Sequence, residues 1–352
     1  MTKYVRQGSM YVPTPNTALD VHPKLPPGTY IIVMPGPGMF AFDEVESFKL
    51  PKKLYGDTTA NADRILRTFA DRPNGTGVML NGEKGSGKTL LAKTLAIKAA
   101  KMGVPTILIN AEWHGDGFNK LIQSIDQPAI LIFDEFEKVY ESETQEEILT
   151  LLDGVFPTKK LFVFTCNDKW KVNQHMRNRP GRVFYYLEYK GLGVEFVREY
   201  CEDNLNNKDH IDGVCILSHL YDHFNFDMLT AIVEEMNRYN ENAQDATRIL
   251  NARPEFSSKQ MFKVDLRVGG EKPHLLFNPI VNYNPFDTSG FILEFQMKKG
   301  IRQNHKAIHV KFKNLKKVDP DKGTFYYEIE DQNARVELSR HYETTTSYTD
   351  LL

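Results

Sequence analysis

Eight consecutive residues, Gly82-Glu83-Lys84-Gly85-Ser86-Gly87-Lys88-Thr89, fit the pattern G-x-x-x-x-G-K-[ST]. Glycines at those places let backbone N–H groups turn inward around phosphates, and a helix start behind them adds favourable partial charge. Lys88 is then placed to reach the β- and γ-phosphates and Thr89 to offer a hydroxyl to Mg²⁺, with Leu90 completing the phosphate-binding stretch. Such a loop needs a second metal carboxylate at the tip of a neighbouring strand. Ile130-Leu131-Ile132-Phe133-Asp134-Glu135 supplies it. Asp134 is the expected Mg²⁺ ligand and Glu135 the expected general base, because hydrolysis needs a carboxylate directed at the attacking water. The other acids of that run, Glu137, Glu141, Glu143, Glu146 and Glu147, read as a solvated helix face.

The elements that must carry these groups follow from hydrophobic periodicity. From 53 to 190, helical segments alternate with short, almost wholly apolar runs: Gly77 to Leu80, Thr106 to Asn110, Ile130 to Phe133, Leu161 to Cys166 and Val183 to Tyr189. That pattern predicts a five-stranded parallel sheet covered by helices, an α/β core with the glycine-rich loop between its first strand and the helix Thr89 to Met102. Residues 1–52 carry Pro13, Pro15, Pro23, Pro26, Pro27, Pro35 and Pro37 around two strand-like runs, Thr29 to Met34 and Met39 to Val45, and read as a small β-rich region. Residues 191–255 switch to helical spacing, with Val194, Val197 and Cys201 on one face and Leu229, Ile232, Val233 and Met236 on another. Residues 256–340 read as a C-terminal β domain in which Ile308, Val310 and Phe312 point inward, and 341–352 as a polar tail.

Composition narrows the classes. The 352 residues suffice for two or three domains, and 44 Lys and Arg against 46 Asp and Glu leave a formal net charge of −2. No global field therefore draws the chain to nucleic acid or anionic lipid. Three cysteines, Cys166, Cys201 and Cys215, lack C-x-x-C spacing, and with no signal-peptide-like start they predict a reducing, cytoplasmic setting. The longest clean apolar run, Ala129 to Phe133, is far short of the ~20 residues a membrane crossing needs.

With those residues in place, 53–250 resembles an AAA+ ATPase module, and in detail the AAA clade in the narrow sense. Ile148-Leu149-Thr150-Leu151-Leu152-Asp153-Gly154 is similar to that clade's L-L-x-x-x-D-G segment. Thr165-Cys166-Asn167 matches its T-x-N sensor 1, and Phe224-Asn225-Phe226-Asp227-Met228-Leu229 is similar to its G-[AS]-D-L lid segment. Asn178-Arg179-Pro180-Gly181-Arg182-Val183 reproduces R-P-G-R, with greatest likeness to Bcs-type members, whose membrane span is missing here. The resemblance implies ATP and Mg²⁺ as cofactors, a loop Tyr55-Gly56-Asp57 over adenine, and Asn167 holding water or γ-phosphate. It also implies that Arg179 and Arg182 act on ATP bound by a neighbouring subunit of a homo-oligomeric ring, most often a hexamer. Trp113-His114-Gly115 aligns with the pore loop by which such rings grip an extended protein substrate. Departures exist: Glu83-Lys84 replace the usual prolines and His114 the usual aliphatic. Outside the module, Lys298 to Lys317 holds eight basic residues and no acidic one. A nucleic-acid partner there is the alternative reading, alongside an ATP-assembled scaffold with slow turnover.

Overall fold

The computed structural model describes residues 3–7, 10–14, 22–36, 39–153, 159–177, 179–189, 191–221, 224–252, 261–283, 289–299 and 302–341. Gly154, Asn178, the turn residues Asn284 and Pro285, and all of the tail after 341 lie outside them. The chain forms two compact units, Met1–Asn81 with Lys88–Glu188, and Gly82–Gly87 with Tyr189–Leu352.

The first unit opens with an antiparallel hairpin, β1 (Lys3–Gln7) and β2 (Met10–Thr14). It continues through β3 (Thr29–Gly36), β4 (Met39–Val45), α1 (Thr58–Asp71), β5 (Thr76–Gly82) and α2 (Lys88–Lys101). Then come β6 (Thr106–Ile109), α3 (Gly115–Gln123), β7 (Ala129–Phe133), α4 (Phe136–Val139), α5 (Ser142–Leu152), β8 (Lys160–Cys166) and β9 (Tyr185–Tyr189). Among the described residues these strands make one sheet in the order β4-β3-β6-β7-β8-β5-β9. The pairs β3–β6, β6–β7, β7–β8 and β8–β5 are parallel.

The five expected strands are all present, and the sheet has seven. Strands β3 and β4, which the sequence suggested were a region apart, extend it: Tyr30 and Ile32 are buried, and β3 pairs in parallel with β6 from Thr29↔Thr106 onward. An uncovered β6 would present a row of unpaired amides and carbonyls, and β3 satisfies them. Strands β5, β7 and β8 are buried along their whole length, which is why they read as unbroken apolar runs instead of alternating ones. Behind them, Phe164 stacks on Phe133 at 4.8 Å between ring centroids, and Phe136 and Tyr140 close the aromatic cluster. One buried cation belongs to this layer. Lys160 Nζ donates to the carbonyls of Ile125 and Gln127, both at 2.9 Å, pinning the turn ahead of β7, and burial draws its pKa down to about 8.

The second unit contains α6 (Val194–Asn204), α7 (Ile211–Ser218), α8 (Phe226–Tyr239) and α9 (Ala243–Ala246). Eight strands follow: β10 (Met261–Val268), β11 (Leu275–Leu276), β12 (Ile280–Asn282), β13 (Phe291–Lys299), β14 (Arg302–Val310), β15 (Leu315–Asp319), β16 (Thr324–Ile329) and β17 (Ala334–His341). They form two sheets, β12-β10-β17-β16-β15 and β11-β13-β14. Helices and strands share one apolar core, in which Val197, Cys201, Ile232 and Met236 cluster with Phe262, Leu266, Phe325 and Val336. Arg340 stitches the two together by donating to the carbonyls of His219 and Tyr221.

One side chain departs from its periodicity. Phe312, expected to point inward, is 41% exposed. Strand β14 ends at Val310, and a 3₁₀ turn over Phe312–Asn314 follows, closed by Asn314 Oδ1 accepting from the Lys311 amide at 3.0 Å. The alternation stops where that turn begins.

Candidate active site

In the first unit the strand tips carry the acids. Thr165, near the end of β8, donates to Asp134 Oδ1 at 2.6 Å and accepts from the Glu135 amide at 2.8 Å, so one hydroxyl fixes the chain just past β7. Glu135 sits at φ 49° and ψ 44°, a left-handed conformation that a non-glycine residue adopts only at a cost of roughly 1–3 kcal/mol. Its carboxylate meets Lys138 Nζ at 2.5 Å.

Lys88, the first residue of α2, is 7% exposed and donates to Asn167 Oδ1 at 3.1 Å. Burial pushes its pKa down, while Cys166 and the carboxylates of Glu137, Asp134 and Glu135 push it back up. Asn167 is in turn held from the other side: its backbone N and its Nδ2 both donate to Glu137 Oε1, at 3.0 and 2.9 Å. A buried cation and a carboxylate thus clamp one amide between them, which fixes which end of Asn167 is oxygen.

Glu137 corrects the sequence reading, which left it on a solvated helix face. It turns inward to Asn167, and its second oxygen is buried without a hydrogen-bond partner. No local pattern singles it out from its acidic neighbours, because the residue it grips stands 30 positions along the chain. With Glu137→Ala, kcat is expected to fall ~10- to 100-fold, the usual cost of removing an outer partner, with nucleotide affinity nearly unchanged. Steady-state rates and a nucleotide titration check it, and Glu137→Gln, which keeps an acceptor oxygen, should recover part of the loss.

In the second unit the loop Gly82–Gly87 is shaped by glycine. Gly82, Gly85 and Gly87 have φ of 148°, 72° and 98°. A Cβ at Gly82 would lie 2.4 Å from the Tyr189 carbonyl oxygen, and one at Gly85 2.8 Å from Asp227 Oδ2. The Gly85 carbonyl accepts from the Phe226 amide at 3.0 Å, while Asn225 caps α8 through Met228 N at 2.9 Å. Ser86 Oγ is buried and has no hydrogen-bond partner among the described residues. Glu83 and Lys84, which replace the family's prolines, are exposed.

The arginines of R-P-G-R, alike in sequence, differ in surroundings. Arg182 makes a bidentate pair with Asp153, Nε to Oδ1 and Nη2 to Oδ2 both at 2.5 Å, and Nη1 donates to the His175 carbonyl at 3.1 Å. The pair holds the Asp153 carboxyl below its ordinary pKa and raises that of Arg182. Arg179 is exposed and makes no hydrogen bond or ion pair among the described residues. The segment itself is fixed against β5: Phe184 N donates to the Gly77 carbonyl at 2.8 Å, and a Cβ on Gly77 would lie 2.0 Å from the Arg182 carbonyl oxygen.

The remaining expected residues stand elsewhere in the first unit. Tyr55, Gly56 and Asp57 form the turn that starts α1, with Gly56 at φ 62° and Lys53 Nζ 4.8 Å from the Tyr55 ring centroid. Trp113 is half-buried, edge-on to Phe40 at 5.6 Å, and its carbonyl accepts from the Tyr140 hydroxyl at 2.9 Å. His114 pairs with Glu147 at 3.1 Å, and Gly115 opens α3 at φ 80°.

Residues 78–188 match the family model described as ATPase family associated with various cellular activities (AAA). That stretch is therefore similar to AAA ATPase domains, a family whose cofactors are ATP and Mg²⁺. Among relatives, the ATP-dependent zinc metalloprotease FtsH 3 of Synechocystis is 29% identical over 161 residues, 39% of this chain and 25% of that protein. Peroxisomal ATPase PEX1 of Cricetulus griseus is 25% identical over 184 residues, 46% and 14% of the two chains. The 26S proteasome regulatory subunit 8 of Dictyostelium discoideum is 26% identical over 139 residues, 33% and 34%. This chain thus spans about a third or less of the length of these relatives. A solved structure of a Thermotoga maritima RuvB variant aligns at 13% identity and TM-score 0.42, over 57% of this chain and 73% of that one. No helix among the described residues is long and apolar enough to cross a membrane.

The residues present suit that nucleotide. Three loop glycines at positive φ and an orphaned Ser86 hydroxyl are what a phosphate cradle requires, and Thr89 with Asp134 gives the hard oxygen donors Mg²⁺ prefers.

Proposed function

We propose that the chain is a Mg²⁺-dependent ATPase that turns over as a homo-oligomeric ring and remodels or threads a protein substrate. The amides of Gly82 to Gly87 and Lys88 hold the phosphates, Thr89 and Asp134 the Mg²⁺, and Tyr55, Gly56 and Asp57 lie over adenine. MgATP supplies the phosphoryl group. Glu135 takes the proton of the attacking water, and Asn167, clamped between Lys88 and Glu137, orients that water.

The observation that carries the ring is the contrast between the arginines. Arg182 is satisfied inside its own chain, whereas Arg179 is exposed and makes no hydrogen bond or ion pair among the described residues, ready for a γ-phosphate that a neighbouring copy presents. In this reading Arg179 is the finger and Arg182 the brace. A ring, most often of six in this family, follows if such head-to-tail contacts close. The words metalloprotease and proteasome in the relatives' names support a polypeptide as substrate. Trp113 is set against Phe40, so gripping would fall to the exposed His114 beside it, with the indole as its support. Three free, buried thiols are in keeping with a reducing cytoplasm.

Phosphate release from ATP is the direct test. It is expected with Mg²⁺ and absent with chelator, and a chain that neither binds nor hydrolyses ATP refutes the proposal.

Exposed Phe312 between Lys311 and Lys313, with Lys306, Lys316 and Lys317 also exposed, favours a second reading, nucleic acid held on this basic face. Lys298, Lys299 and Arg302 of the same stretch lie outside the side chains described. About five phosphate contacts would lower single-strand affinity ~100-fold between 50 and 200 mM salt. Binding to a labelled oligonucleotide across that range decides it, and salt-independent binding removes the reading.

A further inference from the structure

A cavity of about 490 Å³ in the first unit lies where the end of β8 and the R-P-G-R segment come together. Its apolar lining comes from Met79, Cys166, Val172, Met176 and Val183, with Phe184 beside them. Lys169, Arg177 and Arg179 supply its charge, and no carboxylate lines it among the described residues. Lys169 is paired with Glu188 at 3.4 Å, which leaves the two arginines. Arg177 Nε is buried with no hydrogen-bond partner, while its guanidinium lies 5.0 Å from the Trp170 ring centroid. Trp170 is 73% exposed, and Tyr186 on β9 completes the aromatic wall.

Volume and lining match those of small-molecule sites, which are mostly apolar and aromatic with a few convergent polar groups. Two arginines that make no ion pair among the described residues, in a lining with no described acid, select an anion, and a guanidinium fork favours a carboxylate. A multiply charged ligand fits poorly over a thioether, thiol and valine lining. The geometry points to an effector site for a small amphipathic monoanion, an aromatic or branched apolar body bearing one carboxylate, which Arg177 and Arg179 hold while Trp170 covers the ring. Occupancy ties up Arg179. The ligand therefore lowers ATP turnover, a consequence that rests on the trans role of Arg179 given above, whereas binding does not.

Phenylbutyrate is a suitable probe, against its neutral amide and inorganic phosphate. The full chain, without nucleotide, is titrated and followed by tryptophan emission, using Trp170→Phe to assign the change to the cavity mouth. Binding on the order of 1 mM is expected for a ligand of this size, with the amide at least tenfold weaker and phosphate without effect. Arg177→Met should weaken phenylbutyrate ~10-fold or more. Arg177→Lys, which keeps the charge, should restore part of it and guards against a folding defect. Equal binding of acid and amide, or an unchanged affinity in Arg177→Met, overturns the site. Binding that leaves ATP turnover unchanged overturns the effector role; failure of mixed subunits to complement indicts the ring reading alone.

Discussion

Subunits carrying Arg179→Ala and subunits carrying Glu135→Gln, each nearly inactive alone, are expected to regain hydrolysis when mixed. An arginine finger is worth roughly 10³ to 10⁵ in rate, about 4–7 kcal/mol of transition-state stabilisation, so Arg179→Ala alone should leave turnover close to background with ATP binding intact. Glu135→Gln should bind ATP and hold it. In a mixed assembly some interfaces pair an intact Glu135 with a neighbour's intact Arg179, and those interfaces should work. Phosphate release as a function of mixing ratio reads this out. Activity that never exceeds that of either parent sinks the trans assignment. Arg182→Ala is a useful contrast: since Arg182 is bonded to Asp153 and the His175 carbonyl, its loss should lower stability as well as rate, because it strips an anchor from the segment bearing Arg179.

Lys88→Ala is expected to lower ATP affinity by ~10² to 10⁴, two charge-assisted phosphate contacts at about 1.5–3 kcal/mol each. The unliganded chain should feel the change as well. Lys88 Nζ is a partner of Asn167 Oδ1, with the carboxylates of Glu137, Asp134 and Glu135 close enough to act on its charge. Removing it leaves Glu137 without a nearby cation and Asn167 Oδ1 without its donor. Lys88→Met, which keeps most of the volume but not the charge, separates the two effects: affinity should be lost to the same degree, whereas packing should be kept. Nucleotide titration by calorimetry gives the affinities, and an affinity within a factor of three of the unaltered chain would show that this lysine does not reach the phosphates.

Much of this was legible in the sequence because the chemistry is local. The loop Gly82 to Thr89 declares itself by glycine and lysine spacing. Asp134 and Glu135 declare themselves by standing at the end of five buried apolar residues, and β5 to β8 by their two-sided burial. What stayed hidden depends on partners far along the chain. Nothing near Arg182 says that Asp153, 29 residues earlier, will take both its nitrogens and leave Arg179 as the exposed member of the pair. Glu137 looked like one acid among several because the residue it grips, Asn167, is 30 positions away. Strands β3 and β4 could be read as strands, but the edge they complete belongs to β6, some 70 residues on. Phe312 failed for a different reason: two residues of alternation were carried past the point where Asn314 closes a turn.

The backbone at Glu135 sets a further limit on how this domain can change. Asparagine or glycine accepts a left-handed conformation more readily than glutamate, so either one there would make the domain sturdier. Both would delete the carboxylate proposed as the general base. Thermal hardiness and speed therefore pull against each other at a single codon, and a lineage or a selection experiment that screens for heat resistance alone should drift toward a tougher, idle domain.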